Sequence, residues 1–278
     1  MRCQWQEVMR VIPPWMRDDV DRLGKSDLQE LRLRLGQRPQ LRLKTSNVQL
    51  TGVVTDEDIK YVVNTGSRYS PWAASSVAQG YLTIPGGHRI GLCGEAVVYQ
   101  GEMTGIRNVT GLCIRIARDF PGIAVGIKKL TGSILILGPP GSGKTTLLRD
   151  LIRQRSNEGH GCVAVVDERR ELFPGEYFDP GGHTDVMTGC SKAVGVEMML
   201  RTMGPSCIAV DEITAEEDCK ALIEAGWCGV TLLATAHAAN KQDLLSRKVY
   251  RPLAECGLFD TLVVMLPDKS WRQERMNL

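Results

Sequence analysis

Lys144 and Thr145 follow a glycine-rich turn, Gly138-Pro139-Pro140-Gly141-Ser142-Gly143, whose spacing suits one task, the holding of a polyphosphate. Gly138, Gly141 and Gly143 open backbone angles closed to other residues, so that successive amides can point at a single anion. The expected cradle is the whole turn together with Lys144, Thr145 and Thr146. In it, Lys144 reaches the β- and γ-phosphates as a point charge and Thr145 offers a hydroxyl to Mg²⁺. An apolar run, Ser133 to Leu137, precedes the turn and a helical pattern follows it. A phosphate loop needs that strand–turn–helix setting, whose helix adds the positive end of its dipole.

Three further apolar segments end in polar groups: Asp167-Glu168-Arg169-Arg170-Glu171, Asp211-Glu212 and Thr235-Ala236-His237. Asp211 suits Mg²⁺, a hard cation that keeps its waters, acting mostly through one of them. A helix N-cap is the other reading of Asp211. Glu212 and Glu168 compete to orient or deprotonate an attacking water. For Glu168 the alternative is a surface ion pair with Arg169 or Arg170. His237 is either a structural histidine or a group that senses the γ-phosphate.

These groups need elements to carry them. From Ser133 the pattern alternates between strand and helix. The strands are expected at Ser133 to Leu137, Cys162 to Asp167, Cys207 to Asp211, Gly229 to Thr235 and Thr261 to Leu266. The helices are expected at Thr145 to Asn157, Ser191 to Met203, Ala215 to Ala225 and Asn240 to about Val249. Such alternation predicts an α/β fold, a parallel sheet covered on both faces, with ligands beyond the carboxyl ends of the strands.

Residues 1–120 read as a smaller mixed α+β domain, 121–132 as a linker and 133–278 as the nucleotide domain. In the first domain Trp5 to Leu23 is helical with a break at Pro13-Pro14, and Leu31 to Leu35 and Leu41 to Leu43 alternate as strands. Arg32, Arg34, Arg38 and Arg42 make a basic, solvated stripe. Asp56 to Asn64 is a helix with a capping box from Thr55 and Asp58, and a short helix is expected around Trp72 to Gln79. Pro85-Gly86-Gly87-His88 is a tight turn between strands, and Glu95 to Tyr99, Met103 to Asn108 and Gly111 to Ile116 continue as short strands.

The net charge of +2 over 278 residues supplies no basic field for nucleic acid. The apolar runs are strand-sized and the amino terminus lacks a leader's apolar core, which predicts a cytoplasmic chain without a transmembrane segment of its own. Nine scattered cysteines without a C-x-x-C pattern predict reduced thiols.

The motifs resemble those of the secretion-ATPase superfamily, which powers type II and type IV secretion and pilus assembly. Its phosphate loop corresponds to Gly138 to Thr145, its acidic box to Val166-Asp167-Glu168, its Mg²⁺ motif to Arg201 through Asp211-Glu212, and its histidine box to Thr235-Ala-His237-Ala238. A sporulation branch is closer, through Tyr81-Leu-Thr-Ile-Pro-Gly-Gly-His-Arg-Ile-Gly-Leu-Cys-Gly94, Ile106-Arg-Asn108, Ile114-Arg-Ile-Ala-Arg118 and Val166-Asp-Glu-Arg-Arg-Glu171, and it spans nearly the whole chain.

The resemblance implies a P-loop NTPase of the RecA/ASCE type that binds ATP and Mg²⁺. It implies a homo-oligomeric ring, a hexamer, docked on membrane-embedded channel proteins between mother cell and forespore. It also implies a nucleotide between the two domains, completed by Arg107, Arg115, Arg118 or a neighbour's arginines. Asp211 stands where many secretion ATPases have glycine, and the chain lacks their longer carboxyl-terminal helical region. Two other readings remain at this point, a nucleotide-gated scaffold with little turnover and a nucleic-acid translocase. Near-neutral charge and few aromatics count against the second.

Overall fold

The computed structural model describes residues 1–67, 80–127, 132–159 and 161–276. The helix expected at Trp72 to Gln79 lies outside them. The chain divides into two compact units, one of residues 1–119 with 174–177 and one of residues 120–173 with 178–278.

In the first unit, helices Trp5–Val11, Arg17–Gly24 and Asp56–Gly66 accompany six strands. These are β1 (Leu28–Arg34), β2 (Gln40–Leu43), β3 (Asn47–Gln49), β4 (Tyr81–Ile84), β5 (His88–Tyr99) and β6 (Glu102–Arg115). They form one antiparallel sheet in the order β3-β2-β1-β6-β5-β4. One face buries Leu31, Leu33, Leu41, Leu82, Ile90, Leu112 and Ile114 beneath helix residues such as Val8, Ile59 and Val62. On the other face Arg32 pairs with Glu30 and Arg34 with Gln40. Arg38 sits in the turn between β1 and β2. The capping box of Thr55 and Asp58 forms as the sequence predicts. The expected run of short strands after Gly94 is instead two long ones, because bulges between Cys93 and Glu95 and between Val97 and Val98 absorb the irregularities of one continuous hairpin.

The Pro85-Gly-Gly-His88 turn is a structural device. Gly86 has φ 82°, and a Cβ there would lie 2.5 Å from Gln4 Cβ and 2.8 Å from His88 Nε2. His88 is fully buried. Its Nε2 lies 3.1 Å from the Gln4 carbonyl and its Nδ1 accepts from the Ala117 N–H at 3.0 Å, so the ring ties the start of the chain to the residues after β6. Burial lowers its pKa from 6.5 to about 4. Below pH 6.5 the unfolded chain takes up a proton that folded His88 refuses until about pH 4. Stability is therefore full above pH 6.5 and falls as the pH drops toward 4, by about 3 kcal/mol in all. Hydrogen exchange of β5 and β6 amides should show this slope, and His88→Gln should flatten it. A slope unchanged in that variant would assign the acid sensitivity elsewhere.

The second unit contains β7 (Ile134–Leu137), β8 (Val163–Asp167), β9 (Thr184–Thr188), β10 (Cys207–Ile213), β11 (Thr231–Ala236), β12 (Thr261–Met265) and β13 (Trp271–Arg275). The sheet order is β13-β12-β7-β11-β10-β8-β9, parallel except for the antiparallel edge strand β13. Side chains alternate between two cores. Ile134, Ile136, Val165, Ala209 and Leu233 pack with the Lys144–Asn157 helix, through Leu147, Leu148, Leu151 and Ile152. Leu135, Leu137, Val166, Val210 and Ala234 pack on the opposite face with Val196, Met199 and Leu222 of helices Lys192–Met203 and Glu216–Trp227. Burial on both faces is why these strands read as unbroken apolar runs.

The helix expected from Asn240 to about Val249 ends at Ser246, where Arg247 turns extended, and a second helix, Arg251–Glu255, begins around Pro252. Residues 121–127, expected to start a linker, belong to this second unit. Buried Asp150 accepts the N–H groups of Gly122 at 2.9 Å and Ala124 at 2.8 Å, and Ala124 and Ile127 enter the core.

Candidate active site

The alternation of side chains along the sheet assembles the site. On β10, Ala209 faces the Lys144–Asn157 helix, so Asp211, two residues on, faces it too. On β11, Leu233 faces that helix, so Thr235 does as well. β7 lies between β11 and β12, with Leu137 level with Ala236 and Val264, and it delivers the glycine turn to the same edge. Gly141 and Gly143 have φ of 75° and 103°, the left-handed region that glycine enters without strain. Gly138 has no room for a side chain, since a Cβ would lie 2.9 Å from Met265 Cβ. Pro139 and Pro140 are exposed at the turn and Thr146 follows on the helix.

Thr145 Oγ1 donates to Asp211 Oδ2 at 2.6 Å, and Thr235 Oγ1 donates to Asp211 Oδ1 at 2.6 Å. Loss of water around Asp211 pushes its pKa up, and the two hydroxyl donors oppose that shift. Lys144 is buried, and Nζ donates to the Pro139 carbonyl at 3.0 Å and approaches His237 Nδ1 at 3.2 Å. Burial lowers the Lys144 pKa, and Asp211 and Glu212 pull it back up. His237 Nε2 lies 2.9 Å from Glu212 Oε1. An ammonium only donates, so the neutral imidazole with its proton on Nε2 satisfies both of these contacts. Arg169 Nη1 lies 3.4 Å from the other Glu212 oxygen. One continuous chain thus runs Lys144–His237–Glu212–Arg169.

Glu212 has φ 53°, unusual for a residue with a side chain, and the pairing of β10 with β11 shifts register between Val210 and Ile213. The bulge lets two successive carboxylates, Asp211 and Glu212, serve one site although strict alternation would send them to opposite faces. Strain of this kind is characteristic of functional positions.

Glu168 stands apart from that chain. Its carboxylate is 2.5 Å from Nζ of buried Lys192, which is also 3.8 Å from Asp218. Asp167 accepts the N–H groups of Glu171, Leu172 and Phe173 and so shapes the loop after β8. Sequence reading missed Lys192 as a member of the site and gave Thr235 no role of its own. Lys192 is a charge at a helix start far along the chain. The signals of Thr235 were its hydroxyl at the end of an apolar strand and its place two residues before His237 in the histidine box.

The three candidate arginines lie in the first unit. Arg107 pairs with Glu95 at 2.9 Å on the exposed part of the β5–β6 hairpin. Arg115 is exposed on β6 in register with Glu30. Arg118 donates to the carbonyls of Gly24, Lys25 and Leu28, capping the end of the Arg17–Gly24 helix and bracing the start of β1.

The donor set fits a metal–nucleotide. A hydroxyl and a carboxylate oxygen beside a cationic glycine turn suit Mg²⁺, which takes few protein ligands and shares the rest among water and phosphate. Ser142 Oγ is buried and has no hydrogen-bond partner among the described residues, an unmet polar atom inside the turn itself.

A family model described as "Sporulation stage III, protein AA" matches residues 5–273. Stage III sporulation protein AA of Bacillus subtilis (strain 168) is 35% identical over 273 residues, 91% of this chain and 88% of that protein. The X-ray structure of the Legionella pneumophila ATPase DotB aligns with a TM-score of 0.65 at 16% identity, covering 95% of this chain and 80% of that one. The pilus retraction motor PilT, solved with bound ADP, aligns with a TM-score of 0.63 at 16% identity, covering 89% and 76%. The chain shares the α/β, RecA-like P-loop fold of secretion ATPases.

Proposed function

This chain belongs to the sporulation stage III, protein AA family, and from that premise we propose that it is a Mg²⁺-dependent ATPase. It cleaves ATP to ADP and phosphate and acts as a motor that energises or assembles a membrane-embedded channel complex between mother cell and forespore. The observation that carries this reading is the meeting, at one sheet edge, of the Lys144–His237–Glu212 chain with the Thr145–Asp211 pair.

In this reading the Gly138 to Thr146 turn, through the N–H groups of its non-proline residues, and the Lys144 ammonium would hold the phosphates, and Thr145 and Asp211 would hold Mg²⁺, which would supply positive charge beside the phosphoryl oxygens. Glu212 accepts a proton from the attacking water, and His237 orients the Glu212 carboxylate and reports the position of Lys144. Glu168, neutralised by Lys192, supports the loop beside the site.

The subunits form a ring, a hexamer, in the mother-cell cytoplasm, docked on the membrane through a partner protein. Among the described residues no helix is long and apolar enough to cross a membrane. Phosphate release by purified protein with Mg²⁺ and ATP tests the enzymatic claim, and absence of turnover both alone and with membrane vesicles from sporulating cells would refute it. Mass measurement with a slowly hydrolysed ATP analogue tests the ring, which a monomeric mass would exclude.

A further inference from the structure

We propose that Thr235 is a positioning residue of the hydrolytic site, a single hydroxyl that fixes both carboxylates of the Asp211-Glu212 pair. This inference rests on the ATPase reading and adds to it a residue outside the phosphate loop, the acidic pair and the histidine. Thr235 is fully buried at the end of β11. Its Oγ1 donates its one proton to Asp211 Oδ1 at 2.6 Å and accepts the Glu212 N–H at 2.8 Å. A threonine hydroxyl has one donor and two acceptor sites, so this arrangement leaves no ambiguity about which group donates to which.

Each of the two bonds has its own consequence. The first aims Asp211, because its carboxylate is held from both sides by hydroxyls, with Thr145 on one oxygen and Thr235 on the other. Without Thr235, Oδ1 would lose its donor, and the Asp211 carboxylate, held then by Thr145 alone, would be free to swing. The second bond holds Glu212 in its left-handed conformation. The backbone there bulges and has left the regular register with β11, so the Glu212 N–H depends on a side chain to satisfy it. Release of that amide would let φ relax toward the ordinary strand value and carry the Glu212 carboxylate away from His237.

Thr235→Val keeps the shape and removes the hydroxyl, whereas Thr235→Ser keeps the hydroxyl and removes a methyl. The expected result for Thr235→Val is a fall in kcat of about 10- to 100-fold, with the KM for ATP changed by much less and a higher Mg²⁺ concentration needed for half-maximal rate. Thr235→Ser should recover most of the rate. A valine variant with wild-type kcat, or a serine variant as slow as the valine one, would overturn the proposal.

A second measurement holds even if the valine variant folds poorly. In wild-type protein the Glu212 amide should be protected from hydrogen exchange, and rapid exchange at that position would overturn the clamp without reference to turnover. Wild-type protein without any ATPase activity would remove the enzymatic reading and this inference together. Active wild type with an indifferent Thr235→Val removes this inference alone.

Discussion

Replacement of Lys144 by alanine is expected to cut ATP turnover by at least about a hundredfold, with no loss of folded protein. The ammonium is the one cation that the glycine turn itself supplies, and it is already held in place by the Pro139 carbonyl and His237. A charge fixed before substrate arrives needs no reorganisation as negative charge builds on the phosphoryl oxygens. The same burial that lowers its pKa makes it costly to keep in the folded state. Lys144→Ala should therefore melt at the wild-type temperature or slightly above it, since loss of a desolvated charge relieves a penalty. Phosphate release and thermal melting together check this. Wild-type turnover in a well-folded Lys144→Ala protein would remove Lys144 from the catalytic centre.

The second large effect is expected at Glu212. Glu212→Gln preserves size but exchanges one acceptor oxygen for a donor and cannot take a proton, and it should slow hydrolysis by about 10²- to 10⁴-fold while ATP still binds. Glu168→Gln should cost far less, about tenfold, because that carboxylate is engaged by Lys192 and not by His237. Single-turnover hydrolysis and nucleotide binding of the two variants, measured side by side, separate the roles. If Glu168→Gln binds ATP without cleaving it and Glu212→Gln turns over normally, the assignments exchange places.

The RecA-like nucleotide fold was legible because its signals are local and strong. The buried strands carry continuous apolar runs, the glycine turn has fixed spacing, and polar residues stop each strand at the same edge. Two strands of this sheet escaped notice for a physical reason. β9, Thr-Asp-Val-Met-Thr, and β13, Trp-Arg-Gln-Glu-Arg, lie at the two edges of the sheet, where one flank is open and no apolar run is required. The hairpin β5–β6 was legible in parts but not as a whole, because its bulges interrupt the alternation that marks a strand.

At the site, residue types were readable from sequence but partnerships were not. Glu168 and Glu212 look alike on paper, each following an aspartate at a strand end. They diverge because Glu168 meets Lys192, while a backbone bulge turns Glu212 toward His237. Arg118 looked available as a candidate near the end of the first domain, yet three backbone carbonyls are its acceptors.

The buried histidine at the end of the Pro-Gly-Gly turn bears on how members of this family ought to be sorted. That ring anchors the beginning of the polypeptide, a duty unconnected with cleaving phosphate. A homologue could retain the turn intact, fold well and be catalytically dead. A diagnostic for competent members should therefore be written on Lys144, Asp211 and Glu212, and the turn kept as a signature of ancestry.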